Sequence, residues 1–420
     1  MGGCMTPSGK PARYELTIVL LLALFWGCVG LNRFSIGLIF PFIVPEFHLA
    51  GWQVGLLISG TSITWAVSSW IGGYLSDRHG RRRILLPAVG FVGVMTGAMG
   101  GAWDFLSMFI VRDLLGIGDG VGWAVGQATI NEASAPSRKS LNQGVFTVGY
   151  TLIGVGVGSY VITWLTGFGG WRLAFPVVGA ITLVILIALF AFMREPQKRA
   201  SQEADWRLAL GLLRDPSMVA ITVAGCAALT WLQIFVGFNP LFLTKIRGFS
   251  FAETGIIASI WGFSGAAGQI LIPLASEHFG RRPAAFVSAG VSAAALTLYV
   301  LGGYDIWTMR ILVGLCGLCG FGLLPIVLAT CVSEMVSDEI RGAALGMTNF
   351  FGVLIGTTLM PLVGGLISDH VEFGTVLGLA AIADIVVAIS ILKVRETAPR
   401  ILSSKPNSTE RPAPAPSAGT

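Results

Sequence analysis

The chain has 420 residues, of which 54% are hydrophobic and 12% are charged, whereas a soluble domain carries about 25% charged residues. This composition excludes an ordinary soluble enzyme and indicates an integral membrane protein surrounded by the lipid bilayer. The net charge of +5 does not indicate nucleic-acid binding, because the 27 Lys and Arg residues are spread through short segments along the chain.

The first half of the chain is predicted to contain six membrane-spanning helices. Residues 1–13 are polar and carry two basic residues, so we expect this N-terminal segment in the cytoplasm. Apolar runs of about 20 residues, the length that an α-helix needs to cross a bilayer, then follow within residues 14–193. The predicted spans are 15–43, 51–76, 84–103, 105–131, 142–166 and 171–193.

The second half repeats this arrangement after a basic, hydrophilic linker at 194–216, which we also expect in the cytoplasm. Six further spans are predicted within 217–394. They lie at 217–243, 252–275, 284–303, 306–333, 342–368 and 373–393. The tail, 395–420, is rich in Pro, Ser and Ala and is predicted to be disordered and cytoplasmic. The sequence therefore predicts an all-α membrane protein with twelve transmembrane helices in two six-helix halves.

The distribution of basic residues predicts the orientation of the spans. With both termini in the cytoplasm, most of the 27 Lys and Arg residues lie on the cytoplasmic side, and the external loops hold only Arg172, Lys245 and Arg247. This asymmetry follows the positive-inside rule. We therefore expect a multi-pass protein of the plasma membrane, the inner membrane of a bacterium, with both termini in the cytoplasm.

A short loop between the second and third spans carries the pattern G-x-x-x-D-R-x-G-R-R, from Gly73 to Arg82. Gly73 is expected to allow close helix approach, and Gly80 is expected to permit a tight turn. Asp77 is expected near the positive N-terminal end of a neighbouring helix. Arg78 and Arg81 hold the loop on the cytoplasmic side. We interpret this segment as a conformational gating loop.

The loop pattern returns about 200 residues later, where Glu277, Gly280 and Arg281 occupy the corresponding positions. A second motif is repeated at nearly the same offset, since Arg112 and Arg310 each precede a glycine by four residues. Two motifs repeated at one spacing predict two similar halves. The loop resembles the signature of the major facilitator superfamily of transporters, which implies a fold of two pseudo-symmetric halves.

Ionisable residues within the predicted spans are few, and each is a functional hypothesis because a charge in a bilayer costs about 3 kcal/mol. They are Arg33, Arg112, Asp113, Asp119, Arg310 and Asp384. The four histidines lie in loops or at the ends of spans, which argues against a histidine proton relay, and we expect no metal site, cofactor or catalytic residue. Asp384 is expected to pair with a neighbouring helix.

Arg112 and Asp119 are seven residues apart and therefore share one helical stripe, and Arg33 lies at a depth between them. In the superfamily fold the first and fourth helices line the central cavity, so these three side chains could face one another there. The alternative is a structural ion-pair network that joins the helices. For Arg112, as for Asp113 and Arg310, an ion-pair or scaffold role stays open.

Asn32-Arg33 in the first span, Arg112 to Asp119 in the fourth, and Trp171-Arg172 after the fifth resemble the anion:cation symporter family of the superfamily. This resemblance implies that Arg33 binds the carboxylate of an organic anion and that Asp119 carries a proton. Many members have an acidic residue at the position of Asn32 and Glu at that of Asp119, so coupling in this chain can differ.

Further residues predicted to contact the substrate are Asn32, Tyr150, Trp231, Gln233 and Asn349. Individually, each of the last four is better explained by helix packing or by hydrogen bonds between helices. Together with a cation, such aromatic and amide side chains suit an organic acid with a hydroxylated or an aromatic body.

The sequence therefore predicts a secondary active transporter that imports a small organic anion with protons by alternating access. The anion is expected to be a carboxylate such as a sugar acid or an aromatic acid, and the protein is expected to be monomeric. No ATP-binding motif is present, so ion gradients must supply the energy. Two alternatives stay open, namely a proton-coupled exchanger or exporter of amphipathic compounds, and a sensor that retains the transporter fold.

Overall fold

The computed structural model describes residues 12–195, 211–337 and 340–403. Across these residues the chain is helical, and no β-strand occurs in them. Most of the predicted N-terminal segment, the linker and the tail lie outside the described residues.

The first group of helices follows the predicted apolar spans closely. A continuous helical segment, Pro136–Phe192, contains α5, a π-helical stretch at Tyr150–Val157, and α6. Gly169 and Gly170 interrupt α6 with non-helical backbone angles, and Gly170 has a φ of 77°. The helices of this group are α1 (Ala12–Glu46), α2 (Gly51–His79), α3 (Arg81–Met99), α4 (Phe105–Ala133), α5 (Lys139–Gly149) and α6 (Gly158–Phe192).

The second group follows the same order, with π-helical stretches at Phe242–Ile246, Ile326–Thr330 and Gly352–Leu359. Its helices are α7 (Pro216–Leu241), α8 (Phe251–Phe279), α9 (Arg281–Leu301), α10 (Ile306–Pro325), α11 (Cys331–Met335), α12 (Arg341–Phe351), α13 (Met360–Ser368), α14 (Phe373–Ile391) and α15 (Pro399–Ser403).

Ten helical segments within the described residues are long and apolar enough to cross a membrane. One of them is the 57-residue segment Pro136–Phe192, which bends at its glycine pair. The 29-residue α4 lies outside these ten, although it is also long enough to span a bilayer. Its many glycines and four ionisable residues lower its hydropathy.

Several helices begin at side chains that cap their free backbone N–H groups. Asp104 accepts a hydrogen bond from the backbone N–H of Ser107 (2.8 Å) at the start of α4. The hydrogen bonds from Ser107 hold the pKa of Asp104 below its ordinary value. Ser250 and Glu253 form a reciprocal capping box at the start of α8.

Glycines in α4 allow it to pack closely against its neighbours, as predicted for a membrane helix. A Cβ added to Gly116 would meet the carbonyl oxygen of Thr61 at 2.7 Å, and one added to Gly118 would meet a Val92 methyl at 2.6 Å. Small residues therefore bring α2 and α3 against α4. This close packing fixes the depth and direction of the ionisable side chains on α4.

The two groups of helices meet at the end of the bundle opposite the motif loop, which we call the far end. There a Cβ on Gly55 of α2 would meet the Pro361 carbonyl oxygen of α13 at 2.5 Å. The backbone N–H of Gly51 donates to Asp369 Oδ1 (2.6 Å), so an acidic side chain caps α2 from the other group. The far end is therefore closed in this conformation.

The end that carries the motif loop, which we call the motif end, is more open. A Cβ on Gly73 of α2 or on Gly346 of α12 would meet no atom within 4 Å. Leu141, near the start of α5, is 65% exposed. The prediction that Gly73 mediates close helix approach is wrong for this conformation, because the groups are separated where it lies. The neighbouring Gly72 makes the close contact instead, against Val121.

Candidate functional site

An ion pair between α1 and α4 lies deep within the helical bundle. Arg33 Nε is 3.4 Å from Asp119 Oδ2, and the Asp119 side chain is fully buried. The Arg33 side chain keeps 20% exposure although about 20 Å of helix separates it from the end of α1. The sequence-based prediction that these two side chains face each other is confirmed.

The hydrogen-bonding capacity of this pair is only partly used. Arg33 Nη2 and Asp119 Oδ1 are buried and have no hydrogen-bond partner among the described residues. A guanidinium has five N–H donors, and buried polar groups are nearly always hydrogen-bonded. The pair therefore has free donor and acceptor positions that an anion and a proton can fill.

Arg112 adds a second buried guanidinium close to the pair. Its Nε donates to the Leu57 carbonyl oxygen of α2 (2.8 Å), which ties α4 to α2. The charges that act on Arg112 are those of Arg33, Asp119 and Asp113, so two cations and two carboxylates share this region. The formal charges balance, so an anion that binds Arg33 favours the uptake of a proton by a neighbouring carboxylate.

Asp113 and Arg310 are both separate from the Arg33–Asp119 pair. Asp113 is half-buried, and its Oδ1 faces Gly60 of α2. The Arg310 guanidinium stacks on Trp307 with its Cζ 4.5 Å from the ring centroid. Neither side chain forms a salt bridge with any described residue, so their predicted ion-pair role has no contact that supports it.

Asn32, the neighbour of Arg33, points away from it towards α3. Its Nδ2 donates to Thr96 Oγ1 (2.7 Å), and Thr96 in turn donates to the Val92 carbonyl oxygen. Asn32 is fully buried, and its Oδ1 has no hydrogen-bond partner among the described residues. Because the amide is held by α3, it orients α1 at the level of Arg33.

Trp65 of α2 was missed by the sequence analysis. The Arg33 Cζ lies 5.4 Å from the centroid of the Trp65 ring, a cation–π arrangement. Trp65 also packs against Trp123 of α4, with ring centroids 5.3 Å apart. A tryptophan in an apolar span has no distinctive sequence pattern, so only the packing of α2 against α4 reveals this contact.

Tyr150 begins the π-helical stretch beside α1 and is half-buried. Its ring stacks on Trp26 (5.1 Å) and meets the edge of Phe34 (5.3 Å). Phe34 directly follows Arg33, so this contact places Tyr150 beside the part of α1 that carries the ion pair. Gly30 makes this approach possible, because a Cβ there would lie 2.6 Å from the Tyr150 carbonyl oxygen. The structure thus brings Tyr150 to the ion pair.

Three predicted residues of the second group lie on α7 and α12. Trp231 is buried and contacts Trp261 and Phe321, each at a centroid distance of 5.5 Å. Gln233 and Asn349 are half-buried, and within the described ranges neither side chain has a hydrogen-bond partner. Their amide groups are therefore free to contact a ligand.

The motif loop is held by ion pairs that recur in the second group. Arg81 Nη2 lies 2.5 Å from Asp77 Oδ1 and 2.9 Å from Glu132 Oε1 at the end of α4. Arg281 Nη2 lies 3.0 Å from Glu334 Oε1 at the corresponding position. The recurrence of this contact agrees with the repeated sequence motif. Glu132 and Glu334 had not been identified from the sequence.

The turn glycines of the two motifs also correspond. Gly80 and Gly280 have φ values of 102° and 101°, in the region that favours glycine. Glu195 Oε2 accepts a hydrogen bond from the second backbone N–H of α3 (3.2 Å), and Glu396 Oε2 does the same for α9 (3.1 Å). In this conformation Glu195 is therefore the acidic group at the N-terminus of α3. Asp77 was expected near such an N-terminus, but it forms an ion pair within its own loop instead.

Arg78 occupies the exposed side of the same loop. Its guanidinium stacks on Tyr74 of α2, with Cζ 4.6 Å from the ring centroid. An aromatic ring at the surface thus holds this arginine beside the ion-paired Arg81.

Long apolar helices, a closed far end and a charged site deep in the bundle together define a multi-pass membrane transporter rather than an enzyme. The chain belongs to the Major Facilitator Superfamily, whose sequence profile matches residues 22–354 and 222–418. Within it, the chain resembles the anion:cation symporter family, as the sequence analysis predicted.

Two curated relatives and one solved structure illustrate the similarity. The "Hexuronate transporter" of Bacillus subtilis is 27% identical over 266 residues, which are 60% of this chain and 63% of that protein. The "Probable 4-methylmuconolactone transporter" of Cupriavidus pinatubonensis is 27% identical over 378 residues, 84% of this chain and 85% of that protein. A bacterial homolog of the human lysosomal transporter Spinster, solved in an inward-facing and unoccupied conformation, superposes with a TM-score of 0.73. That match has 17% identity and covers 92% of this chain and 95% of the other, so it supports the fold alone.

Proposed function

We propose that the protein is a proton-coupled importer of a small organic anion, a carboxylate, that works by alternating access. The observation that carries this proposal is the buried Arg33–Asp119 pair, 3.4 Å apart, in which Arg33 Nη2 and Asp119 Oδ1 have no hydrogen-bond partner among the described residues. Relatives whose names specify hexuronate and 4-methylmuconolactone agree with an organic acid as substrate.

The proposed architecture has twelve transmembrane helices in two similar halves. The bend at Gly169 and Gly170 would divide the segment Pro136–Phe192 into two spans, and α4 would supply the remaining one. The matching ion pairs of Arg81 and Arg281 support the repeat. We further propose that the protein is a monomer in the bacterial inner membrane, with the motif end in the cytoplasm.

The proposed mechanism couples the two charges of the pair. Arg33 binds the substrate carboxylate through its planar guanidinium. The bound anion partly neutralises the positive charge that stabilises ionised Asp119, so Asp119 takes up a proton. Proton and anion together neutralise the pair, so the loaded site crosses the conformational cycle without an unpaired buried charge. One proton and one monovalent anion move no net charge, so the pH gradient drives accumulation, and each pH unit is a tenfold proton gradient that corresponds to about 1.4 kcal/mol.

The remaining residues have supporting roles in this proposal. Tyr150 lies beside the part of α1 that carries Arg33, and Trp231, Gln233 and Asn349 would contact the body of the anion. Asn32 orients α1. Arg112 is a scaffold residue, and the loop from Gly73 to Arg81 would gate the motif end, which alternately separates and closes.

The proposal is tested by uptake into proteoliposomes that contain the purified protein. We expect 3-phenylpropionate or D-glucuronate, used as radiolabelled probes, to accumulate when the outside is acidic, and only to equilibrate without a pH gradient. Protein-free liposomes and Arg33→Gln proteoliposomes control for passive entry of the neutral acids. Gradient-driven movement in the opposite direction would instead support an exchanger, and binding without flux would support a sensor.

The orientation makes a separate prediction. In a Cys4→Ser background, a membrane-impermeant maleimide added to intact cells should label Ser250→Cys, since Ser250 is an exposed residue at the far end. The same reagent should not label Ser201→Cys, which lies in the linker outside the described residues. The five remaining native cysteines are buried and provide a low background. Labelling of Ser201→Cys but not of Ser250→Cys would reverse the proposed topology.

A further inference from the structure

Six aromatic side chains form a continuous cluster that begins beside Arg33 and crosses from one helical group to the other. Phe34 contacts Tyr150 (5.3 Å) and Trp261 (6.3 Å), and Trp261 in turn contacts the remaining rings. We call this set the aromatic cluster. Its members are Phe34, Tyr150, Trp231, Phe235, Trp261 and Phe321.

Trp261 is the centre of the cluster. Its ring centroid lies 4.5 Å from Phe235, 4.6 Å from Phe321 and 5.5 Å from Trp231. The interplanar angles are 33°, 55° and 52°, so the rings are tilted against one another. All rings of the cluster except Tyr150 are at least 95% buried, so a planar unsaturated ligand would meet their faces and edges once the helices separate during the conformational cycle.

Two buried indole N–H groups within the cluster point to a ligand. Trp231 Nε1 and Trp261 Nε1 have no hydrogen-bond acceptor among the described residues, although both side chains are at least 98% buried. The Cys316 sulfur near Trp231 is only a weak acceptor. Since a buried donor without an acceptor is unfavourable, these groups suit a ligand that brings a small number of acceptors.

Two of the polar side chains near the cluster are already bound within the protein. The Asn239 side chain accepts a hydrogen bond from the Tyr299 hydroxyl (2.9 Å), and the Asn32 amide is bound to Thr96. Gln233 and Asn349 are the predicted amides that stay free. A sugar acid would bury several hydroxyl groups against aromatic rings, and each unpaired hydroxyl costs free energy.

We propose that the aromatic cluster holds the body of the transported anion, and that the substrate is a carboxylate with a planar, unsaturated ring. Arg33 binds the carboxylate, and the ring extends along Tyr150 and Phe34 towards Trp261. This inference rests on the proposed function, because it assigns the chemical class of the anion that Arg33 binds. Because the cluster includes rings from both helical groups, the bound ring would join them during the conformational cycle.

Isothermal titration calorimetry on the purified full chain tests the inference with three probes: 3-phenylpropionate, cyclohexanepropionate and D-glucuronate. We expect 3-phenylpropionate to bind about tenfold more tightly than either of the others, which corresponds to about 1.4 kcal/mol and lies within the range for a favourable ring–ring contact. Trp261→Leu should weaken 3-phenylpropionate about tenfold, while Trp261→Phe should stay within about threefold of the parent. Trp164→Leu, which alters a tryptophan that is 61% exposed, is the matched control and should leave binding unchanged.

The outcomes separate this inference from the proposed function. Binding of D-glucuronate that is as tight as that of 3-phenylpropionate and is lost in Arg33→Gln would overturn the aromatic class and leave the proposed function standing. Equal affinity for cyclohexanepropionate, or an unchanged affinity in Trp261→Leu, would also overturn the inference. If none of a wider set of carboxylates binds, the proposed function itself fails.

Discussion

Replacing Arg33 with glutamine is expected to abolish binding of the organic anion while the protein still inserts and folds. Within the pair, the Arg33 side chain keeps solvent access and the Asp119 side chain does not. The Nη2 of Arg33 is a buried donor without a partner among the described residues. Loss of one partner of a buried, hydrogen-bonded charge pair costs about 2–5 kcal/mol, so the dissociation constant should rise about 30-fold or more. Calorimetry with 3-phenylpropionate and D-glucuronate measures this change.

Three further variants separate binding from folding. Arg33→Lys should recover little affinity, because an ammonium does not offer the planar fork of the guanidinium. Arg33→Gln leaves Asp119 without its ion-pair partner, and the double variant Arg33→Gln/Asp119→Asn removes that uncompensated charge. The double variant should therefore be as stable as the parent in size-exclusion chromatography and should still not bind. Arg310→Gln, a matched loss of an arginine within a span, should stay within about threefold of the parent.

An affinity of Arg33→Gln within a factor of two of the parent would remove Arg33 from the site. Recovery of binding in the double variant would have the same consequence, since it would assign the loss to the unpaired aspartate.

The helices and the central ion pair could be predicted from the sequence because both depend on local signals. Apolar runs of sufficient length define the spans, and any charge inside such a run is conspicuous. Arg112 and Asp119 share one stripe of α4, and Arg33 lies at a depth between them, so the sequence predicts that these side chains can face one another. Likewise, Asp384 does pair with a neighbouring helix, because the Ser292 hydroxyl donates to its Oδ2 (2.6 Å).

The residues that were missed depend on contacts between distant segments. Trp65, Thr96, Glu132 and Glu334 have ordinary positions in their own helices, and their partners are known only once those helices pack together. Gly73 shows a different limit. Its pattern predicts a close helix contact, but the two helical groups are separated at the motif end, so this contact is absent from the conformation described.

Replacing Asp119 with asparagine is expected to separate substrate movement from proton coupling. Asparagine resembles the protonated carboxyl group in shape and charge, so the variant should adopt the neutral state of the site without a proton. Arg33 would then be free of its counter-ion and available to the anion at all times. We therefore expect Asp119→Asn to bind and exchange the anion, while an imposed pH gradient no longer drives its accumulation.

Glutamate at the same position is the matched control. Asp119→Glu keeps an ionisable group next to Arg33, so it should retain part of the gradient-driven accumulation if the carboxyl group carries the proton. Asp113→Asn alters the other carboxylate of α4, whose Oδ1 faces Gly60 and not Arg33. That variant should accumulate the anion like the parent.

Counterflow measured alongside pH-gradient uptake, in the same proteoliposomes, tests the coupling of Arg33 and Asp119 most directly. The parent protein should show both activities. Asp119→Asn should retain counterflow within about threefold. It should accumulate the anion no further than Arg33→Gln does, because the variant lacks the carboxyl group that takes up the coupling proton. Gradient-driven accumulation by Asp119→Asn at the level of the parent would contradict the proposed coupling.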